Sequence, residues 1–329
     1  MSRRVHVIEE RFALKAPFRI SRAVKDSIEV VMVTIADSGH AGRGEGVPYP
    51  RYGESVADAV AAVEEQRSWL ERGGDRNELL RRMPPGAARN AIDCALWDLE
   101  CRAAGGGLQR PSQGAFRTAL TVSLDAPAAM ETAAAALPAG ALIKVKVDRQ
   151  APVEQLRAVR RGAPAATLIV DPNESWDEVT TRALQPLLVE LGVALLEQPV
   201  PAEDDEWLTG FEPEVPICAD EAVHTAADLD TVAGRYQFVN VKLDKSGGLT
   251  SALALTQAVR ARGLGLMVGC MVCTSLSIAP ALTLLRGAAF ADLDGPLWLR
   301  QDRIGGVRQV GAFLEPAEPG FWLGSPPPY

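Results

Sequence analysis

Histidine is the scarcest chemically useful residue in this chain: only His6, His40 and His224 occur among 329 residues, and none follows position 224. Three dispersed imidazoles make no metal-ligand cluster. GEGVPYP and GGLT lack the Lys or Ser context of a phosphate loop or nucleophile elbow, so neither nucleotide binding nor a hydrolase triad is supported. Basic excess is missing too. With 34 Lys and Arg against 42 Asp and Glu, the net charge is −8 and the pI near 5.1. That balance argues against nucleic acid or an anionic membrane as partner and favours a small-molecule substrate.

Cysteines are few and odd in number. Cys94, Cys101, Cys218, Cys270 and Cys273 sit mostly in apolar segments, as buried free thiols do in a reducing cytoplasm. The opening MSRRVHVIEERF has no apolar core or cleavage site of a secretory signal. One uncharged run of 23 residues lies between Arg262 and Arg286. It contains Thr, Ser and Pro280, and reads as a buried strand followed by a helix rather than a membrane span.

What is present is enough for a core. At 47% hydrophobic and 23% charged residues, the composition is that of a folded globular protein, and its length suits a barrel plus one smaller domain. Val5 to Phe12 alternates and Ile28 to Ile35 is β-branched, with a turn signal at Asp37, Ser38 and Gly39, which predicts an antiparallel meander. A helical pattern follows from Ser55. In AARNAIDCALWDLECRAAG it places Ala88, Ile92, Ala95, Leu96 and Leu99 on one face, until Gly105, Gly106 and Gly107 stop it. QRPSQGAFR then reads as a linker, and the boundary is set at residue 115.

Beyond it, eight apolar segments alternate with Ala/Leu-rich helical ones: TALTVSL, ALIKVKV, ATLIVD, VALLEQP, PICADE, FVNVKL, LGLMVG and AAFADLDG. Alternation of this kind predicts a parallel barrel of α/β class. It spans residues 116–299, with a 1–115 α+β domain completed by the tail 300–329. Five ionisable residues end successive segments: Lys146, Asp171, Glu197, Asp220 and Lys242, spaced 25, 26, 23 and 22 residues apart. Catalytic groups of such barrels gather at the C-terminal strand ends.

Three carboxylates brought together would repel one another and lose hydration, so a divalent cation with oxygen ligands, Mg2+, is the expected remedy. Strand-end caps facing solvent are the alternative. Lys144 and Lys146 share one pleat face, where crowding and desolvation are expected to lower a lysine's pKa toward that of a base. Taken alone, the pair could equally snorkel from an edge strand. Lys242 lies across the predicted barrel, with Lys245 as a competitor just past the strand end. Asn173, Gln198 and Glu221 lie beside the three acids and could orient them. Asp292 and Asp294 share a face on the eighth strand, suited to a ligand ammonium or to an acidic turn.

Together, Lys144-x-Lys146, Asp171-x-Asn173, Glu197-Gln198-Pro199, Asp220-Glu221 and Lys242 resemble the muconate-lactonising subgroup of the enolase superfamily. The Asp292-x-Asp294 pair, with PYPRYGES, ARNAIDCALWDL, NESW and FADLDGP, is similar to its dipeptide epimerases, in particular those acting on L-Ala-D/L-Glu. That resemblance implies a modified (β/α)7β TIM barrel under an N-terminal α+β capping domain. It implies an isomerase in which Asp171, Glu197 and Asp220 hold Mg2+ and Lys146 and Lys242 are the acid/base pair. Lys144 is implied at the substrate carboxylate, Asp292 and Asp294 at its ammonium, and Thr121, Tyr49 and Arg22 as further substrate contacts. Arg19 and Lys25 compete with Arg22 for a side-chain carboxylate. The implied setting is recycling of peptidoglycan peptides in the cytoplasm. The alternatives are o-succinylbenzoate synthase, N-acylamino acid racemase or muconate cycloisomerase chemistry on the same scaffold, or a dipeptide-binding homologue without activity. Homo-oligomerisation is left open.

Overall fold

A computed structural model describes residues 3–105 and 114–323. The expected helix stop at Gly106 and Gly107, most of the expected linker and the final GSPPPY lie outside the described residues. The N-terminal part opens with the antiparallel meander β1 (Arg4–Ile20), β2 (Ala23–Asp37) and β3 (His40–Gly46). Three helices follow: α1 (Val56–Glu71), α2 (Arg76–Arg82) and α3 (Ala87–Ala103). The Ser55 and Asp75 side chains accept the first-turn N–H groups of α1 and α2, as N-caps do.

Helix α3 forms the expected face, with Ile92, Ala95, Leu96 and Leu99 buried in one apolar cluster and Ala88 packed against it, and its burial extends further round the helix. Buried residues run almost continuously from Ala87 to Leu99 and include Arg89, Asn90, Asp93 and Asp98. The cause is a neighbour on each side. One flank lies on β3, whose Gly42, Gly44 and Gly46 present no side chain, so the α3 backbone fills the space any Cβ would need. The other flank meets the barrel.

After β4 (Phe116–Arg117) come β5 (Ala119–Val122), α4 (Pro127–Ala135), β6 (Leu142–Lys146), α5 (Pro152–Gly162), β7 (Thr167–Asp171), α6 (Glu178–Glu190) and β8 (Val193–Glu197). Two single 3-10 turns lead to β9 (Ile217–Ala219), followed by α7 (Leu229–Val232) and β10 (Phe238–Val241). The series ends with α8 (Leu243–Ser246), α9 (Leu249–Ala261), β11 (Gly265–Gly269), α10 (Ser275–Ala281) and β12 (Phe290–Asp292). Strands β5 to β12 form one eight-stranded parallel sheet in chain order. Its ends meet where the Leu293 N–H donates to Thr118 Oγ1 at 2.8 Å. The uncharged run after Arg262 is β11 and α10, and no helix among the described residues is long and apolar enough to cross a membrane.

The tail returns to the N-terminal part. Strand β13 (Arg308–Val310) pairs with β14 (Phe313–Glu315), which pairs with β4, and Leu14 bridges Leu299. Arg303 reaches Glu10 and the fully buried Glu45, while the Trp322 indole donates to Arg43 O at 3.0 Å.

Candidate active site

Side chains lining the barrel change character along each strand. Leu142, Ile169, Leu195, Cys218 and Met267 make an apolar floor. Two residues further, on the same pleat faces, stand Lys144, Asp171, Glu197, Asp220 and Gly269. The next inward position on β6 is Lys146. On β10 the same alternation gives Phe238, Asn240 and Lys242, and on β12 it gives Phe290, Asp292 and Asp294. The polar layer is therefore set at the C-terminal mouth by strand register alone.

All of these groups are buried and interlocked. Lys144 Nζ lies 2.7 Å from Glu197 Oε2, 2.7 Å from Asp292 Oδ2 and 3.1 Å from Asp171 Oδ2. Lys146 Nζ lies 2.5 Å from Asp171 Oδ2, and Lys242 Nζ lies 2.6 Å from Asp220 Oδ2. The two lysines stand on the second and sixth of the eight barrel strands, on opposite walls. Asn173, whose φ is +47°, folds back so that its N–H and side-chain amide both donate to Asp171, at 2.8 and 3.2 Å. Gln198 leaves the Glu197 carboxylate untouched. Its Oε1 accepts the N–H groups of Asp220 and Ala222, so it shapes the turn that carries Asp220.

Electrostatics corrects one expectation. Crowding was to lower the pKa of a lysine in the Lys144/Lys146 pair. Burial does act that way on Lys144, but Asp292, Glu197 and Asp171 outweigh it and hold its pKa well above the usual lysine value. Lys242 is raised likewise: burial opposes, and Asp220 prevails. Asp220 is correspondingly held far below the usual carboxylate range against its burial, and Asp171 is held at about 2. Burial pushes Glu197 up to about 7 against the pull of Lys144, helped by its two acidic neighbours. Lys245 is not a rival across the site. It sits on α8 with its ammonium against the Asp220 carboxylate and the main-chain oxygens of Asp220 and Asn240.

Asp292 pairs with Lys144, a contact invisible in sequence because the two residues are 148 apart. Asp292 Oδ1 nevertheless accepts no hydrogen bond among the described residues. Asp294 Oδ2 accepts the Thr121 N–H at 2.7 Å, and burial beside Asp292 raises its pKa to about 6. Thr121 thus meets Asp294 through both its backbone and its side chain.

The cap loops divide the cations unequally. The Arg22 guanidinium is engaged by Glu221 at 2.6 Å, Glu174 at 3.1 Å, Asn173 O at 2.9 Å and the Tyr49 hydroxyl at 3.3 Å. Arg51 holds the same Glu174 through two contacts of 2.8 Å. Arg19 points away, to Asp125. Lys25 lines the same cavity, with its ammonium 4.9 Å above the Tyr49 ring. It makes no ion pair among the described residues. Sequence reasoning also passed over Asn240, whose amide donates to Glu197 Oε1 at 2.9 Å. Its two-residue spacing from Lys242 was the available signal.

The donor set suits a hard divalent ion: three fully buried carboxylates at consecutive strand ends, all oxygen. Glu197 Oε2 and Asp220 Oδ1 touch ammonium groups yet receive no aligned hydrogen bond. Among the described residues no three acidic groups already converge on one point. Lys144 stands between Asp171 and Glu197.

Two family models match the chain: the mandelate racemase / muconate lactonizing enzyme N-terminal domain over residues 2–110, and the enolase C-terminal domain-like model over residues 128–320. An L-Ala-D/L-Glu epimerase of Escherichia coli K12 is 48% identical over 91% of this chain and 95% of its own. An N-acetyl-D-glutamate racemase of a Pseudoalteromonas species is 39% identical over 90% and 96%. An enolase family member from Agrobacterium tumefaciens with homology to dipeptide epimerases, solved with sodium and L-Ala-L-Glu, superposes with a TM-score of 0.93. It is 43% identical and covers 97% of this chain and 99% of its own. A Methylococcus capsulatus dipeptide epimerase solved with Mg and L-Arg-D-Lys gives a TM-score of 0.87 at 30% identity, over 97% and 98%. The chain therefore belongs to the enolase superfamily, in its mandelate racemase / muconate lactonizing enzyme group, and stands among the dipeptide epimerases of that group.

Proposed function

We propose that this isomerase inverts the α-carbon of the C-terminal residue in L-Ala-L-Glu and L-Ala-D-Glu. The observation that carries the reading is the placement of Lys146 and Lys242 on opposite walls of one buried acidic site. A proton leaves one face of the α-carbon to one lysine, and the other lysine returns a proton to the opposite face. Asp171, Glu197 and Asp220 are the residues that would hold Mg2+. Bound there, the ion would offset the negative charge that holds the Lys242 pKa up and would stabilise charge developing on the substrate carboxylate. Lys144 assists at that carboxylate, Asp292 and Asp294 take the ammonium, and Asn173, Asn240 and Gln198 keep the acids in place.

For the side chain of the second residue, Lys25 is the better assignment than Arg22. Arg22 already spends its donors on Glu221 and Glu174, whereas Lys25 carries a charge with no acidic partner among the described residues. Tyr49 orients both cations. Free thiols at Cys94, Cys218, Cys270 and Cys273 fit a reducing cytoplasm, and recycling of cell-wall peptides is the setting in which this dipeptide arises.

Resemblance to the N-acetyl-D-glutamate racemase supports a second reading, in which the substrate is N-acylated. Incubation in D2O with Mg2+ separates them. L-Ala-L-Glu is expected to take up one α-deuteron and give the D epimer, with N-acetyl-L-Glu far slower. Exchange of N-acetyl-L-Glu alone would replace the first reading with the second, and exchange of neither would end both.

A further inference from the structure

Three buried polar side chains of α3 are not used by the chemistry above. Arg89, Asn90 and Asp93 are 5%, 0% and 0% exposed, and groups so buried need partners. Apart from Met83 O, which Arg89 also reaches, and Glu45 O, which Asn90 also reaches, their donors and acceptors cluster on the segment that continues β10 past Lys242. Arg89 donates to Ser246 O at 2.6 Å and to Gly247 O at 2.9 Å. The Asn90 amide donates to Asp244 Oδ1 at 2.8 Å, an oxygen that also accepts the Val47 N–H at 2.9 Å. Asp93 accepts from Thr250, through its hydroxyl at 2.6 Å and its N–H at 2.9 Å.

The glycines of LDKSGGLT are what let the helix in. Gly247 and Gly248 have φ of +69° and +116°, and a Cβ on them would lie 2.5 Å from Arg89 Nε and 2.5 Å from Asp93 Cβ. As a phosphate loop this motif made no sense, because no Lys-Ser/Thr context follows it. As the socket for a helix it does.

Lys242 sits directly before that socket. Its backbone is extended and it is the N-cap residue of α8, so the orientation of its side chain follows from where α8 is held. We propose that α3 is a clamp that sets the position of Lys242, with Arg89 and Asn90 as positioning residues acting through Ser246, Gly247 and Asp244. The proposal rests on Lys242 being one of the two bases. Lys146 stands on the opposite wall, where its hydrogen bond and ion pair among the described residues go to Asp171, so the clamp governs proton transfer on one face of the substrate only.

That asymmetry supplies the test. Initial α-deuterium uptake in D2O at saturating Mg2+ is measured separately from L-Ala-L-Glu and L-Ala-D-Glu. Lys242→Ala is expected to remove exchange from one antipode and leave it with the other. Asn90→Ala and Arg89→Lys are expected to slow that same antipode by roughly 10- to 100-fold, the scale of a misplaced catalytic group, and to leave the other near the wild-type rate. Arg89→Lys keeps the buried cation and carries the test alone if Asn90→Ala does not fold. Equal loss for both antipodes, or loss for neither, overturns the clamp. If Lys242→Ala itself fails to separate the antipodes, the two-base reading falls and the clamp with it.

Discussion

Replacing Lys25 by methionine tests the specificity assignment most directly. The change keeps the chain's length and its contact with the Tyr49 ring while removing the charge. Around it, Arg22 and Arg51 share Glu174, Arg22 also holds Glu221, and Lys25 is the cation left over. Burial and the neighbouring Arg22 both lower its pKa, so an incoming carboxylate relieves an unfavourable charge as well as gaining a hydrogen bond. A hydrogen bond to a charged group contributes about 1.5–3 kcal/mol, which at about 1.36 kcal/mol per tenfold predicts roughly a 10- to 150-fold fall in kcat/KM for L-Ala-L-Glu. L-Ala-L-Gln, with the same shape and no charge, should be nearly unaffected. Chiral chromatography of both reactions gives the two ratios. An equal fall for Glu and Gln, or no fall for Glu, would refute the assignment, and a loss confined to Arg22→Met would return the role to Arg22.

Chelation should abolish epimerisation and Mg2+ restore it. At a hundredfold excess over its Kd the ion should add about 2.7 kcal/mol of stability, seen as a rise in melting temperature that Glu197→Gln removes; melting curves indifferent to Mg2+ would contradict the ligand set. Asp292→Asn should lower dipeptide turnover by roughly 10- to 150-fold, from about 1.5–3 kcal/mol per charged hydrogen bond, but spare any residual reaction with N-acetyl-Glu, and parallel losses would remove the ammonium anchor. Burial pushes the Asp244 carboxyl up to about 7 despite hydrogen bonds from Val47 and Asn90. An acid whose folded pKa is raised favours folding fully below its unfolded value of 3.8 and loses that contribution as pH rises through about 7. Asp244→Asn should therefore flatten melting temperature against pH across that window, and an unchanged slope would show that other groups set it.

The eight strands and the acids at their ends were legible because a buried parallel strand is written as an apolar run, and a charge closing such a run has few uses other than function. Asp171, Glu197 and Asp220 fall where that logic puts them. Pairings across the barrel were not legible. Nothing local to Lys144 tells of Asp292, and this contact reverses the direction of the lysine's pKa. Charges in the cap loops were misjudged for a related reason: Arg22 looks free in sequence, while Glu174 and Glu221, which take it up, come from two other strand ends. The apolar face of α3 was legible, whereas its buried Arg89, Asn90, Asp93 and Asp98 were not, because the groups they pair with lie far away in the chain.

That burial of α3 bears on how such a protein can be altered. The loops around Lys25 and Tyr49 hang from the meander and the start of α1, while α3 joins the meander to the segment behind Lys242. Loop sequence can therefore drift toward new dipeptides without loosening the base. A chimera that exchanges the whole N-terminal part cuts through that joint, and should stay active only if α3 and the LDKSGGLT socket are inherited from the same parent.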